Sequence, residues 1–539
     1  MPKKTATTSR TFILFLVLLV IQLTLYLYTT YRPFTIAPPG YSYTVMGWFY
    51  SYPNFILQAK DGAWGIIDAT TTRQTPRVYT QSFLVLLGKI AWLFHLHQIT
   101  MYRIAQTLGG IAVFFATYQL IRLLLPHRYH AAAILFALGI EIGPLINSIA
   151  GHAILSWAPS FDSQITFNRH FGLPHHVWAE VFGLLFLITL YQSVKKISVY
   201  RLGLLIVLAF AVTITLPSYV ITMMLGIVPV WFFWALSQKK LRQFLVPLAI
   251  ASAVIILTGI FIKMQFAQGL PWKNFPTDEK TWWTNHDQFL YYFSSLTLYY
   301  PWFYLAVAAV LSTWKTLEES TKFAFLICLA WVLSPVLFIP FSTTSWFPIA
   351  NFRLTDGYHY PPAGILAAIG YVNGLSFVKQ KNVRSMIVNG LLALTLVASI
   401  GLTAIFTKQL WANQEALWSN VYPKTSTMQA VYFLDTLPKH SGILVREHFG
   451  NIITAFADVR VFLGAYHFPD YPERSWLADR FLSGALSDTD AKTLLHDNDI
   501  QYIFYGPEEQ ERNTTGTLYP DILSPIYTTD SVTVFAIKK

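Results

Sequence analysis

The sequence predicts an α-helical multi-pass membrane bundle of about 11 spans followed by a C-terminal exported α/β domain. Three observations carry this. Apolar runs of membrane-spanning length alternate with short polar connectors up to Thr407. Nearly every second connector is rich in Lys and Arg, the asymmetry that orients membrane proteins. Beyond Thr407 the long apolar runs stop, and short helix-like and strand-like patterns alternate. The expected division is 1–407 for the transmembrane part with its outer loops and 408–539 for an extracytoplasmic α/β domain.

The first run, 11–31, follows Lys3, Lys4 and Arg10, so the N-terminus is expected in the cytoplasm. No small-residue cleavage site follows it, and 26–32 is bulky, which predicts a retained anchor. In the long loop that comes next, 52–64 has the spacing of a short amphipathic helix ending at Gly62, after an extended lead-in through Pro33, Pro38, Pro39 and Gly40. Trp48, Tyr50, Tyr52 and Trp64 suit the headgroup zone. Segment 78–96 is apolar but interrupted by Gln81, Lys89 and His95, and reads as an interfacial helix. Counting it as a span would invert every later loop.

The connectors then expected in the cytoplasm carry Arg122 and Arg128; Lys195, Lys196 and Arg201; Lys239, Lys240 and Arg242; Lys315 and Lys322; and Lys379, Lys381 and Arg384. An odd number of crossings places the tail outside. The longer loops, 32–77, 151–175, 265–288 and 342–360, fall on that outer face, which makes it the working face. In the tail, 426–436, 476–483 and 487–496 read as helices, the last opened by Ser487 and Asp490 in a capping-box pattern. Segments 442–446, 459–463, 500–505 and 531–537 read as strands, being short and rich in β-branched and aromatic residues. The tail is expected to fold by itself.

Composition agrees with the class. Charged residues are only 12% of the chain, and the mean hydropathy of +0.44 is that of a membrane protein. The net charge of +11 sits largely in the basic connectors, where topology and anionic headgroups account for it, so no nucleic-acid partner is predicted. The one cysteine, Cys328, lies in an apolar run, leaving the exported domain without a disulfide.

Acidic residues on the outer face are few. Asp61, in KDGAW, reads as a solvated turn carboxylate. Asp68, in GIIDATTTR, precedes Arg73 and Arg77, cations able to hold a phosphate, though a capping role suits it equally. The second outer loop brings Asp162, Arg169, His170, His175 and His176 to the mouth of a span that starts at Pro174. These could activate an acceptor, neutralise a phosphate or bind a metal. Neighbouring His175 and His176 point different ways on a helix, so at most one is expected to face a given site. Interfacial polar side chains are the simpler reading for both. Arg353, Asp356, Tyr358, His359 and Tyr360 precede Pro361 and Pro362, which suits a lipid phosphate or a headgroup anchor. Glu141 stands near mid-membrane, where a carboxylate is functional by default, with Pro144 close enough to free a carbonyl for it. Glu180, one turn below His176, could reach the outer pocket.

Taken together, the first span, the loop helix ending in QAKDGAW, the helix SFLVLLGKIAWLFHL, the basic-ended IAQTLGGIAVFFATYQLIRLLL, the LPHH head of the next span, FRLTDGYHYPPAGILAA and an exported α/β tail resemble the GT-C superfamily of membrane glycosyltransferases. The resemblance covers essentially the whole chain through architecture and degenerate patterns. It implies a polyprenyl-phosphate-linked sugar donor, transfer on the outer face among membrane lipids, and a first-loop carboxylate acting as base or metal ligand. The chain departs from the family here: 33–60 holds no acid, and Trp48 stands where one is expected. Asp162 or Asp68 is then the expected base, and Arg73, Arg169 and Arg353, with His175, His176 and Tyr358, the expected substrate-binding set. A divalent metal ion and the oligomeric state are left open. The alternatives are a flippase for lipid-linked glycans, with Glu141 as coupling group, and a non-catalytic glycan-assembly subunit.

Overall fold

The first apolar run folds as one continuous helix, α1 (Lys3–Ile36), with an apolar stretch, Arg10–Thr24, inside it. In this computed structural model the described residues are 3–36, 51–139, 170–274, 309–342, 349–354, 359–375, 423–464, 470–511 and 518–538, with scattered positions in 284–307 and 378–401. The elements that follow are α2 (Ser51–Lys60), α3 (Ser82–Leu93), α4 (Gln98–Leu124), α5 (His130–Leu138), α6 (Pro174–Lys195), α7 (Val199–Thr215), α8 (Pro217–Ser237), α9 (Leu241–Phe266), α10 (Glu319–Phe338), α11 (Asn351–Leu354) and α12 (Tyr360–Gly374). The tail adds α13 (Thr425–Leu434), β1 (Gly442–Leu444), α14 (Glu447–Phe456), β2 (Arg460–Val461), α15 (Tyr471–Leu482), α16 (Asp488–Asp497), β3 (Tyr502–Tyr505), α17 (Pro507–Gln510), β4 (Leu523–Thr528) and β5 (Thr533–Ile537). The chain divides into two compact units, one of 1–30, 105–261 and 279–411, the other of 31–104, 262–278 and 412–539.

The first unit is a helical bundle. Among the described residues five helices are long and apolar enough to cross a membrane, against the about 11 spans expected from the apolar runs. Part of the difference is length. At 17 residues, α7 reaches only about 25 Å, short of a hydrocarbon core of about 30 Å. Several expected spans also lie partly in 140–169, 293–306 and 402–422, outside the described residues. Proline occurs inside α8, α9 and α10, as apolar spans tolerate better than exposed helices do. Helices approach closely where one lacks a side chain. Gly364 of α12 lies on the backbone of Ala137 in α5, and Gly226 of α8 on that of Ala330 and Trp331 in α10, the small-residue contact on which lipid-embedded packing relies. Trp331 is fully buried, edge-on to Tyr219 at 6.5 Å.

The basic connectors lie at helix ends and have local work there. Arg201 donates to the carbonyls of Gln192 (2.8 Å) and Lys196 (3.0 Å) at the end of α6, the first of which also accepts from Lys196 N. Arg128 pairs with Glu318 at 3.2 Å. That contact joins the connectors after α4 and before α10, which the charge pattern assigns to the same side.

The second unit is built on a five-stranded sheet of order β2-β1-β3-β5-β4, in which β1 is parallel to β2 and β3 while β5 is antiparallel to β3 and β4. Side chains alternate between its faces. Ile443 and Phe504 meet α13 and α14, while Leu444 and Ile503 meet α15 and α16. The helix α14 and strand β4 were not expected. Ile452, Ile453 and Thr454 give α14 a β-branched centre that favours strand, and its burial on nearly every side offsets this. In β4, Pro525 breaks the strand signature, and it is tolerated because β4 is an edge strand with an irregularity between Pro525 and Tyr527.

The first long loop belongs to this unit. Helix α2 ends at Gly62, whose φ of +113° is costly for any side chain. Helix α3 has 12 residues, about 18 Å, too short to span. It buries Leu84, Val85, Leu87 and Ala91 and leaves Leu86, Trp92, Leu93 and Phe94 exposed.

Candidate active site

The sequence-predicted site residues fall into two groups, one in each unit. In the second unit, Asp68 opens a loop that seals the outer edge of β2. The Ala69 carbonyl accepts from Val461 N (2.9 Å) and the Thr72 carbonyl from the Arg460 guanidinium (2.6 Å). Thr70, Thr71 and Thr72 are buried. Gly464 lies so close to Thr70 that a side chain there would collide with it. Asp68 is itself buried, and its Oδ1 accepts from Thr70 N (2.8 Å) and Thr70 Oγ1 (2.6 Å), while its amide donates to Thr75 Oγ1 (3.0 Å). Asp68 caps no helix here; its carboxylate closes a turn on Thr70.

Arg73 leaves this loop half-exposed and pairs with Asp470, the residue preceding α15, at 2.5 Å. One turn on, Arg474 is buried with its guanidinium over the Phe462 ring, 4.7 Å from the centroid. Burial draws its pKa down to about 10, against the opposing pull of Asp470 and, more weakly, Asp68. Asp68, Arg73, Asp470 and Arg474 thus form one electrostatic cluster. Arg77 is used elsewhere, donating to the Gly65 carbonyl at 3.3 Å. Asp61 is held by Lys439 at 2.5 Å, a partner that local sequence does not announce.

In the first unit the group gathers at the head of α6. Pro174 starts the helix. The residues before it are tied down by Gln106, which donates to Gly172 O (3.0 Å) while accepting from Tyr26 OH (3.3 Å), and by Tyr26 stacked on Phe171 at 4.5 Å. Trp178 donates to Ala105 O at 2.9 Å. The rings of His175 and His176 lie edge-on, 4.5 Å apart. Both are within electrostatic reach of Arg353. Both imidazoles of this first helical turn therefore feel the charge of one guanidinium. His170 and Glu180 are buried in the same unit, and His359 packs on Tyr292 at 4.7 Å. Gln22 and Gln106, buried among apolar helices, were not singled out, since nothing local distinguishes a polar residue in a long apolar run.

Asp162, Arg169 and Tyr358 lie outside the described residues, as do Asp356, Glu141, Pro144 and Trp48. Among the described residues no group of three or more His, Cys, Asp or Glu converges as a metal centre requires.

The sequence matches no protein-family model and no curated protein. The structure is similar to that of ArnT from Cupriavidus metallidurans, solved bound to undecaprenyl phosphate, with a TM-score of 0.54 and 13% identity over 97% of each chain. It is also similar to the apo oligosaccharyltransferase of Archaeoglobus fulgidus, with a TM-score of 0.51 and 12% identity over 92% of this chain and 70% of that one. Both neighbours are GT-C membrane glycosyltransferases. With apolar spanning helices, a loop-and-tail α/β unit and this likeness over nearly its full length, the chain has the fold of the GT-C superfamily of membrane glycosyltransferases.

Proposed function

We propose that the protein is a membrane glycosyltransferase that moves a hexosyl or pentosyl unit from a polyprenyl-phosphate carrier to a lipid, glycan or protein acceptor on the outer face. The observation that carries this is the likeness, over 97% of each chain, to ArnT solved with undecaprenyl phosphate. The N-terminus is then cytoplasmic and the 408–539 domain extracytoplasmic, as the basic connectors require.

Three tasks follow. A base takes the proton of the acceptor hydroxyl. Asp162 is the better choice, because Asp68 already clasps its own turn through Thr70. A cation stabilises the leaving phosphate. Arg353, whose charge reaches His175 and His176 at the head of α6, fits that task, and Arg169 and Tyr358 are assigned to it from the sequence alone. Arg73, in the other unit, could hold an anion only after it releases Asp470.

The test is turnover by the purified chain with a panel of polyprenyl-phosphate sugars. Transfer that falls in Asp162→Asn and Arg353→Ala at matched protein levels supports the reading. Undiminished transfer in both variants would overturn the residue assignment, and no transfer from any carrier would overturn the function.

A further inference from the structure

Helix α15 uses most of its polar residues inward. Asp470 pairs with Arg73, Tyr471 donates to Glu447, Arg474 stacks on Phe462, and Asp479 pairs with Arg446. Ala478, Phe481 and Leu482 fix the helix to the sheet. On the opposite stripe, at the i, i+3, i+7 spacing of one helix face, Glu473, Trp476 and Arg480 point outward. Trp476 is 55% exposed, with the Arg480 guanidinium over its ring, 5.2 Å from the centroid. Arg480 is itself steadied by donating to the Ala485 carbonyl at 2.9 Å.

From this arrangement we propose that Trp476, flanked by Glu473 and Arg480, is a carbohydrate-binding platform of the exported domain, on which a sugar ring of the glycan substrate stacks. The proposal rests on the transferase reading and names a subsite for it.

Three classes of occupant compete for an exposed tryptophan, and the surroundings separate them. A lipid surface would want apolar neighbours, as at α3, where Leu86, Trp92, Leu93 and Phe94 are exposed together. Trp476 instead has a carboxylate one turn before it and a guanidinium one turn after. A protein interface wants an apolar core within roughly 800 Å² per partner. Elsewhere among the described residues of 423–538 the exposed large apolar side chains are Tyr432, on α13, and Ile526, on β4, so the stripe offers one anchor and not a patch. A pyranose or furanose ring needs only this much. Its C–H face covers an indole, while Glu473 accepts from and Arg480 donates to its hydroxyls. Asp470, which holds Arg73, is about 9 Å away along the helix, within the length of one oligosaccharide.

The experiment is saturation-transfer NMR on the full chain in nanodiscs free of glycoside detergent, with neutral methyl glycosides of common hexoses and pentoses at tens of millimolar as probes. At least one glycoside should receive saturation from the wild type, and the effect should fall about tenfold in Trp476→Leu while Trp476→Phe keeps most of it. The leucine variant keeps the bulk and the phenylalanine variant keeps the ring, so a general loss of folding would remove both signals together and show in the melting temperature. Equal transfer in Trp476→Leu, or none from any glycoside to the wild type, overturns the proposal. Because binding is read without turnover, a chain that binds through Trp476 but transfers no sugar would sink the transferase reading and leave the platform standing.

Discussion

Asn54 donates through Nδ2 to the carbonyl of Thr454 at 2.6 Å, across 400 positions of sequence. Its Oδ1 in turn accepts from Gln58 Nε2 at 2.7 Å, and Gln58 also binds both backbone groups of Ile67 at 3.0 Å. One buried amide thus couples the first long loop to α14 of the tail.

Replacing Asn54 by Ala should therefore destabilise the second unit by about 1–3 kcal/mol, because the Thr454 carbonyl and the Gln58 amide lose their partner in a buried place. Thermal unfolding of the purified chain measures this. A shift no larger than that of an exposed control such as Thr436→Ala would show that the amide is dispensable.

The tail expressed from Thr425 should unfold cooperatively, since α13 to α16 and the sheet enclose two apolar clusters of their own. It should melt at a lower temperature than in the whole chain, because Asn54, Ala69 and Thr72 no longer cover α14 and β2. Circular dichroism during heating distinguishes a cooperative melt from the featureless slope of a disordered product.

Topology can be read with one thiol. Cys328 is buried, so a cysteine placed at exposed Thr489 on α16 gives the only accessible label. An impermeant maleimide should modify Thr489→Cys in intact cells. Labelling only after permeabilisation would place the tail in the cytoplasm and remove the outer-face chemistry.

In turnover assays Asp162→Asn and Arg353→Ala should each cost about 10²- to 10⁴-fold in rate, the usual effect of losing a positioned base or phosphate contact. Glu141→Gln should lower the yield of folded protein and spare the rate per molecule, if that carboxyl serves folding and not transfer. If Glu141→Gln alone abolished activity in well-folded protein, the transport reading would replace the transferase.

Glu509 gives a pH prediction. It is fully buried, with its carboxylate accepting from the amides of Arg446 and Gly506, each at 3.0 Å. Burial raises its pKa from 4.5 to about 7, helped by the charge of Glu508 and opposed by those amides. A folded state that holds this proton more tightly than the unfolded chain loses stability as pH rises from 4.5 to about 7, and the contribution is constant above that. Melting temperatures of the wild type should carry this downward slope and those of Glu509→Gln should lack it. Parallel curves would mean that Glu509 is ionised throughout.

Local signals were the legible ones. Gly62 ends α2 as its left-handed backbone demands, and Ser487 caps α16 by accepting from Asp490 N at 3.1 Å. The Asp490 carboxylate, expected to reach back to a free amide, instead accepts the Ser487 hydroxyl at 2.7 Å. What could not be read depends on partners remote in sequence. Asn54, Asp61 and the threonines after Asp68 look like ordinary loop residues until Thr454, Lys439 and Arg460 come against them. Helix α14 hid behind its β-branched residues for the same reason, since packing on several sides overrides local preference. At the candidate site, sequence picked out His175, His176 and Arg353 because charged and imidazole groups stand out beside apolar runs. It passed over Gln22 and Gln106, and it gave no sign that Asp470 would hold Arg73.

The seam between Thr72 and Arg460 has a consequence in time. The two residues are 388 positions apart, so at about 5–20 residues per second of synthesis the loop waits roughly 20–80 s for the strand that will cover it. Throughout that interval α2, α3 and the threonine loop lack the strand and helix that bury them. Late truncations of the gene product should therefore leave 51–78 as the segment most exposed to proteases.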